Sequence, residues 1–360
     1  MTISEPIGPD SLGEGPNPQH IDGLTVLRFD GEATAVRLAT FMPRFPKEIP
    51  FRKIAARTWA VGLRLPATAR VEYLIETEDS GRTSRRLDPA NPQMAGNPFG
   101  ANSVAWGPDY RLPAWMRRPS PVSGRVTEIR VQSKAFEGRR HHSVYSPPGA
   151  LASTPLPLLI VHDGTDYRRY SGLCDALDAL IGSGSVRPVR AVLVDPRERH
   201  REYIADARHT SHIIEEVVPH VERRYATVKP FGVMGASLGA VAAWHVAHTA
   251  PAVFGRLFLQ SGTFARGRHP QLSNEMHQQI ARFVTSAMES PVLGSARVYQ
   301  TCGRYESLGQ WNQVVSDGFK SAGIESIYAE SWAGHDWGAW RDHFETGLAA
   351  LYPPTPSQQG

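Results

Sequence analysis

Phe231-Gly232-Val233-Met234-Gly235-Ala236-Ser237-Leu238-Gly239 is the stretch on which the reading of this chain turns. It holds a G-x-S-x-G pentapeptide directly after a short apolar run and directly before Ala240-Val241-Ala242-Ala243-Trp244, which reads as a helix. A strand that turns sharply into a helix with a serine at its apex forces that serine into a strained backbone conformation. The residues two before and two after must then be too small to clash. The helix start also points its free N–H groups at whatever sits over the serine. The pattern predicts a nucleophile elbow at Ser237.

Working outward, strands and helices alternate on both sides of this turn. Leu156 to His162 is a continuous apolar run, as expected of a strand buried on both faces. Further strands are predicted at 126–132, 142–145, 189–195, 231–234, 257–260, 297–301 and 326–331. Helices are predicted at 172–181, 211–224, 238–249, 310–322 and 340–351. Such alternation predicts a doubly wound, mainly parallel sheet. Upstream, from Leu24 to about Tyr110, the chain shows only short strands between turn signals: 25–29, 35–40, 59–65 and 71–76. That spacing predicts a small sandwich. Leu87-Asp88-Pro89-Ala90-Asn91-Pro92 cannot continue a central strand, and Pro113 to Pro121 reads as a linker.

The 360 residues are enough for two domains. Lys+Arg (39) nearly balances Asp+Glu (35), and arginine far outnumbers lysine, so no basic stripe for nucleic acid is expected. Cys174 and Cys302 stand far apart and form no metal-ligand or disulfide pattern. The N-terminus is polar and rich in Gly and Pro, unlike a secretory signal, and no run is long enough for a membrane helix. The expectation is a cytoplasmic enzyme without metal or cofactor, whose oligomeric state is not legible.

Serine needs a base within hydrogen-bond reach, and the base needs an orienting acid. His335, in Trp332-Ala333-Gly334-His335-Asp336-Trp337-Gly338, follows the last predicted strand and is preferred over His343, which falls in a predicted helix. Glu306, in Cys302-Gly303-Arg304-Tyr305-Glu306, follows the strand before that one. Asp317 is mid-helix, and Asp336, next to the base, would point away. An oxyanion hole needs backbone N–H donors. Leu238 supplies one, and Thr165, in His162-Asp163-Gly164-Thr165, is the choice for the second. Asp166, Arg199, Arg201 and Trp337 are candidate substrate contacts, set against the plainer reading of a solvated charge run and of core tryptophans.

With these residues in place, the chain resembles the esterase D/enterochelin esterase-like family of α/β-hydrolases. The matching pieces are H-D-G-T at 162–165, the run from Arg197-Glu198 to Tyr203 and Val217-Val218-Pro219. They continue with G-A-S-L-G at 235–239, Gln260-Ser261-Gly262, G-R-Y-E at 303–306 and G-H-D-W-G-A-W-R at 334–341, in the family's order. The N-terminal segment looks like the β-sandwich that precedes the hydrolase in ferric enterochelin esterases. The resemblance implies an α/β-hydrolase domain at 119–351 behind an all-β, Ig-like sandwich at 23–118; the residues outside them, 1–22 and 352–360, read as flexible tails. It implies carboxylic ester hydrolysis with Ser237 as nucleophile, His335 as base, Glu306 as acid, and Leu238 and Thr165 as oxyanion donors. The chain departs from the siderophore enzymes in its Gly-Ala-Ser-Leu-Gly elbow and in Ala265-Arg266, where those enzymes carry an aromatic pair.

The leading expectation is a serine carboxylesterase working through an acyl-enzyme on a small-molecule ester, with a siderophore of the enterochelin type as a candidate substrate. No nucleic-acid or membrane partner is expected. The alternatives are an acyltransferase to a sugar or lipid acceptor, and a non-catalytic binding protein.

Overall fold

Gly235 and Gly239 do form a strand-to-helix turn, and it lies in the larger of two compact units. The computed structural model describes residues 4–5, 12–13, 15–266 and 273–354. The first unit comprises the described part of 1–112 together with 303–307 and 330–339; the second comprises that of 113–302, 308–329 and 340–360. Most of the tails expected at 1–22 and 352–360 lies outside the described residues. Where it is described, the expectation of flexible tails is corrected. Asn17 is buried and donates to Asp88 at 2.8 Å, and Tyr352 is fully buried.

The first unit contains β1 (Ser4–Glu5), β2 (Gln19–Ile21), β3 (Leu24–Asp30), β4 (Ala35–Thr40), β5 (Glu48–Pro50) and β6 (Arg52–Lys53). It continues with β7 (Thr58–Leu63), β8 (Arg70–Asp79), β9 (Arg82–Arg86), β10 (Met94–Asn97) and β11 (Gly100–Trp106). They make two antiparallel sheets. One runs β1-β7-β3-β2 with β6 on β7; the other runs β10-β11-β8-β4-β5 with β9 on β8. Alternating residues of both sheets, such as Leu27, Phe29, Val61, Val36, Leu38, Val71 and Ile75, meet in one core that also takes in Tyr305 and Trp332. The Pro-rich loop earns its place through Asp88, whose buried carboxylate accepts the Tyr73 hydroxyl at 2.6 Å and the Asn17 amide. Strand β9 is exposed along its whole length. Ser80 and Gly81, both at positive φ, turn β8 into it as a two-residue hairpin of that type requires.

The second unit opens with α1 (Ala114–Arg117), β12 (Arg125–Ser133), β13 (Gly138–Ser146), β14 (Leu158–His162), α2 (Gly164–Tyr170), α3 (Leu173–Gly182) and β15 (Arg190–Val194). Then come α4 (Arg199–Glu202), α5 (Ala207–Ser211), a π-helical segment (His212–Val217), α6 (Val218–Glu222), β16 (Phe231–Ala236), α7 (Leu238–Thr249) and β17 (Phe254–Gln260). It closes with α8 (Asn274–Glu289), β18 (Arg297–Gly303), α9 (Gly309–Ser321), β19 (Glu325–Ser331), α10 (Trp337–Arg341) and α11 (Phe344–Leu351). The sheet order is β12-β13-β15-β14-β16-β17-β18-β19. Pairings from β15 through β14, β16 and β17 to β18 are parallel, and β12 and β13 are antiparallel. Every residue of β14, β15 and β16 is buried, which explains their apolar sequence, broken only by His162 and Arg190 at strand ends.

Three expectations are revised. The linker at 113–121 contains α1, whose Trp115 is buried and stacks on Phe344. The helix expected at 211–224 is interrupted by the π-helical turn. His343 is not inside a helix but caps the start of α11.

A layer of buried polar side chains crosses the second unit beside that turn. His142 Nε2 and His212 Nε2 are 3.0 Å apart, and His212 Nδ1 lies 2.6 Å from Glu216. Glu202 accepts the backbone N–H groups of Arg197 and Glu198 and pairs with buried Arg140. Burial, with the charges of His212 and Arg140, pushes His142 down to about 3. Burial alone would raise Glu202 and Glu216, but their donors outweigh it and hold both at about 2. In each case the native state binds fewer protons than the unfolded chain below the unfolded pKa, so stability falls with acid by about 1.4 kcal/mol per pH unit per proton. The loss through His142 begins below about pH 6.5 and that through the carboxylates below about 4.5, near the ordinary values of those groups. Thermal melts from pH 7.5 to 3.5 are expected to show this two-stage decline. His142→Gln should make the upper stage shallower without removing it, since burial also lowers His162, His212 and His245, and should leave the lower stage in place; an unchanged upper stage would contradict the assignment.

Candidate functional site

Strand β16 delivers Ser237 to its C-terminal end, and Ser237 leaves the strand at φ 57°, ψ −122°, a region closed to most side-chain-bearing residues. The close approach demands glycine at 235, where a Cβ would lie 2.2 Å from the Gly239 carbonyl oxygen. The Ser237 N–H donates to the Gln260 carbonyl at 2.9 Å, and its own carbonyl accepts from Thr263 and Ala240, both at 3.2 Å. The Ser237 Oγ lies 3.2 Å from the Thr263 hydroxyl. Leu238 is the first residue of α7, where backbone N–H groups have no intrahelical acceptor. Thr263 was not singled out from sequence, although Ser261-Gly262-Thr263 follows β17 at the equivalent strand end.

The loop after β14 backs the elbow. Asp163 sits at φ 56° ahead of α2, and its N–H donates to the Tyr203 hydroxyl at 3.0 Å. Arg199 donates Nε and Nη2 to the Asp163 carboxylate at 2.8–3.0 Å. Its Nη2 also reaches the carbonyl of Ala236, the residue before the serine, at 3.2 Å. Arg199, expected to touch substrate, is thus occupied in tying the elbow to the 162–164 loop. Burial raises the Asp163 carboxyl even against that guanidinium.

The other expected contacts fare differently. The Thr165 N–H donates to Asp195 at 3.0 Å, and its hydroxyl to the same carboxylate at 2.5 Å. Hence the second oxyanion donor chosen from sequence is engaged here by a carboxylate. Asp166 is half-buried, its carboxyl raised by burial and by Asp163 and Asp195. Arg201 is exposed and pairs with Glu198 at 2.9 Å, an arrangement typical of a solvated surface. Trp337 begins α10 and is half-buried.

Glu306 and His335 belong to segments of the first unit, whereas Ser237 belongs to the second. Glu306 is 1% exposed and its Oε2 lies 2.6 Å from His335 Nδ1. Its other oxygen accepts the Gly303 N–H at 2.7 Å. A carboxylate so placed keeps the proton on Nδ1 and the lone pair on Nε2, the tautomer a general base needs. The two loops are laced together by Arg304 N–H to Ser331 and Tyr305 N–H to Ala333. Gly303 is required, since a Cβ there would lie 2.3 Å from the Ala333 carbonyl oxygen. The rival acids are otherwise engaged: Asp317 accepts from Gln313 on the surface, and Asp336 pairs with Arg70. Among the described residues, no cluster of three or more His, Cys, Asp or Glu could hold a metal ion.

The Esterase family model matches residues 133–351. The iron(III) salmochelin esterase of Escherichia coli O6:H1 is 27% identical over 325 residues, 81% of this chain and 77% of its own. Solved structures with the same fold include the enterobactin esterase of Shigella flexneri (TM-score 0.76, 18% identity, 94% of this chain and 96% of that one). The ferric enterobactin esterase of Salmonella typhimurium has a TM-score of 0.78 at 20% identity, with the same coverage of both chains.

Gly235→Ala is expected to lower the melting temperature by several degrees, since overpacking against backbone costs about 1–3 kcal/mol or more. It should also abolish fluorophosphonate labelling of Ser237. Thr263→Val, which removes one hydroxyl, should change the labelling rate several-fold while leaving the melt nearly unchanged. Labelling rates and melts of the two variants check both.

Proposed function

The chain belongs to the Esterase family and is a serine carboxylic ester hydrolase; we propose that Ser237 is its nucleophile, His335 its general base and Glu306 the acid that orients the base. The observation that carries this reading is the Ser237 backbone, held at φ 57° at the head of α7. The 2.6 Å Glu306–His335 pair supports it, as does the chain order of serine, acid and histidine. In the reaction His335 Nε2 takes the Ser237 hydroxyl proton as Oγ adds to the ester carbonyl carbon. The Leu238 N–H receives the developing oxyanion. Thr165 can join it only by giving up Asp195. Collapse of the adduct breaks the bond to the alkoxy oxygen, which leaves as the alcohol with the proton from His335. Water then repeats the sequence on the acyl-enzyme, releasing the acid.

The substrate proposed is an ester of an iron-binding siderophore, the metal being cargo and not cofactor. Support comes from the relatives, named as iron(III) salmochelin and enterobactin esterases. The first unit is proposed to be an Ig-like sandwich, on the strength of two antiparallel sheets sharing one core. A cytoplasmic setting is proposed from Cys174 and Cys302, both buried and not joined in a disulfide; no helix among the described residues is long and apolar enough to cross a membrane.

Intact mass after fluorophosphonate treatment should show one adduct on wild type and none on Ser237→Ala. Hydrolysis of an iron-loaded catecholate lactone should fall by about 10³-fold or more in Ser237→Ala and His335→Ala, and by about 10²–10⁴ in Glu306→Gln. Wild-type hydrolysis by Ser237→Ala would refute the catalytic assignment. Turnover of simple aryl esters with none of the lactone would refute the substrate.

A further inference from the structure

The turn that carries His335 is held by a residue of the β-rich unit that no sequence pattern marks. Arg70 opens β8. Its backbone N–H donates to the Trp332 carbonyl at 2.8 Å, three residues before His335. Its guanidinium donates from Nη1 to Asp336, one residue after His335, and from Nη2 to Glu72 at 2.9 Å. Asp336 in turn accepts the Ala339 N–H at 2.8 Å and so caps α10. The guanidinium lies against Gly338, where a Cβ would come within 2.3 Å of Cζ. The Arg70 side chain is 3% exposed. One residue thus grips the His335 turn on both sides, by backbone before the base and by side chain after it.

We propose that Arg70 is a positioning residue for His335, keeping the imidazole aligned with Glu306, and that the β-rich unit thereby takes part in the esterase reaction. This inference rests on His335 being the base. Before His335 the turn is also held by the Tyr305 N–H on the Ala333 carbonyl, and the imidazole, 36% exposed, by Glu306; beyond His335 the Arg70–Asp336 pair supplies the hold. Asp336, its side chain 13% exposed, would alone be a largely desolvated carboxylate beside the base; paired with Arg70 it becomes an anchor. Glu72 completes the group by accepting from Asn102 at 2.9 Å. Burial, and then the Asp336 charge, push Glu72 up to about 7 against the pull of Arg70. A general base displaced by about an ångström loses on the order of 10²-fold in rate without losing its chemistry.

The test uses the full chain with p-nitrophenyl acetate as substrate. Removing Arg70 alone strands two buried carboxylates, so the main variant is the charge-neutral triple Arg70→Met, Glu72→Gln, Asp336→Asn. Arg70→Lys, which keeps one charge but cannot reach both partners, is made beside it. The expected result for each is a kcat lowered about 10–100-fold in the triple and at least fivefold in Arg70→Lys, with KM within twofold. The far-downfield proton resonance of His335 Nδ1–H, identified by its absence in His335→Gln, should shift or vanish. A role in stability alone would lower the melting temperature and leave kcat and that resonance as in wild type, and this result overturns the proposal. Should the triple variant not fold, the same readouts on Arg70→Lys decide. Ser237→Ala and His335→Ala run alongside. If they still hydrolyse the ester, the triad reading fails; if they are inert while the Arg70 variants match wild type, only the role of Arg70 fails.

Discussion

A serine held at φ 57° and ψ −122° sits in a backbone region that costs on the order of 1–3 kcal/mol, and it persists only where its surroundings leave it no alternative. Those surroundings are visible on every side. The N–H of Ser237 is claimed by Gln260 at the end of β17, and its C=O by Thr263 in the loop that follows. The peptide before it is claimed by Arg199. The helix after it cannot slide, because nine of the twelve residues of α7 are buried and Trp244 meets three aromatic rings edge-on. Rigid packing of this helix converts the local strain into a fixed direction for one hydroxyl.

The histidine side uses a different means. Glu306 is buried and each of its oxygens has a donor, one a backbone N–H and one the imidazole. A carboxylate held this way has no freedom to rotate, so the ring it touches inherits its orientation. Both loops are cross-linked by main-chain hydrogen bonds and weighted down by Tyr305, whose ring meets Phe45 edge-on at 5.0 Å. Ser237 and His335 are therefore fixed by unlike forces: steric exclusion around a strained backbone for one, satisfied charge for the other.

How much of this the amino-acid order disclosed follows from the range of each interaction. The elbow could be read because its constraint is local: a side chain at 235 would strike the backbone of Gly239, four residues on. Strands β14 to β16 could be read because burial on both faces leaves polar side chains only at strand ends, His162 and Arg190. Helix α8 was missed although Ile280, Val284 and Ala287 form a helical stripe; the residues between them are polar enough to dilute it. Strand β9 was missed for the opposite reason, as it buries nothing. At the site, Ser237, Glu306 and His335 were named from the residues around them. The partners that redirect Thr165 and Arg199, namely Asp195 and Asp163, stand 30 and 36 residues away, and Arg70 is 266 residues from Asp336. Pairings at such separations depend on side-chain geometry that only the folded sheet supplies.

Strand β9 bears on how copies of this protein meet one another. It pairs with β8 alone among the described strands, so one flank of its backbone has no neighbour there. Its five residues are Arg82, Thr83, Ser84, Arg85 and Arg86, all exposed. A second molecule approaching edge to edge would have to bring guanidinium groups against guanidinium groups and dehydrate them. Crowded β-rich proteins aggregate by this route, and charged side chains along an exposed edge oppose it, here chiefly Arg82 and Arg86, since Arg85 pairs with Glu76 at 2.7 Å. Such protection weakens as salt shortens the reach of charge.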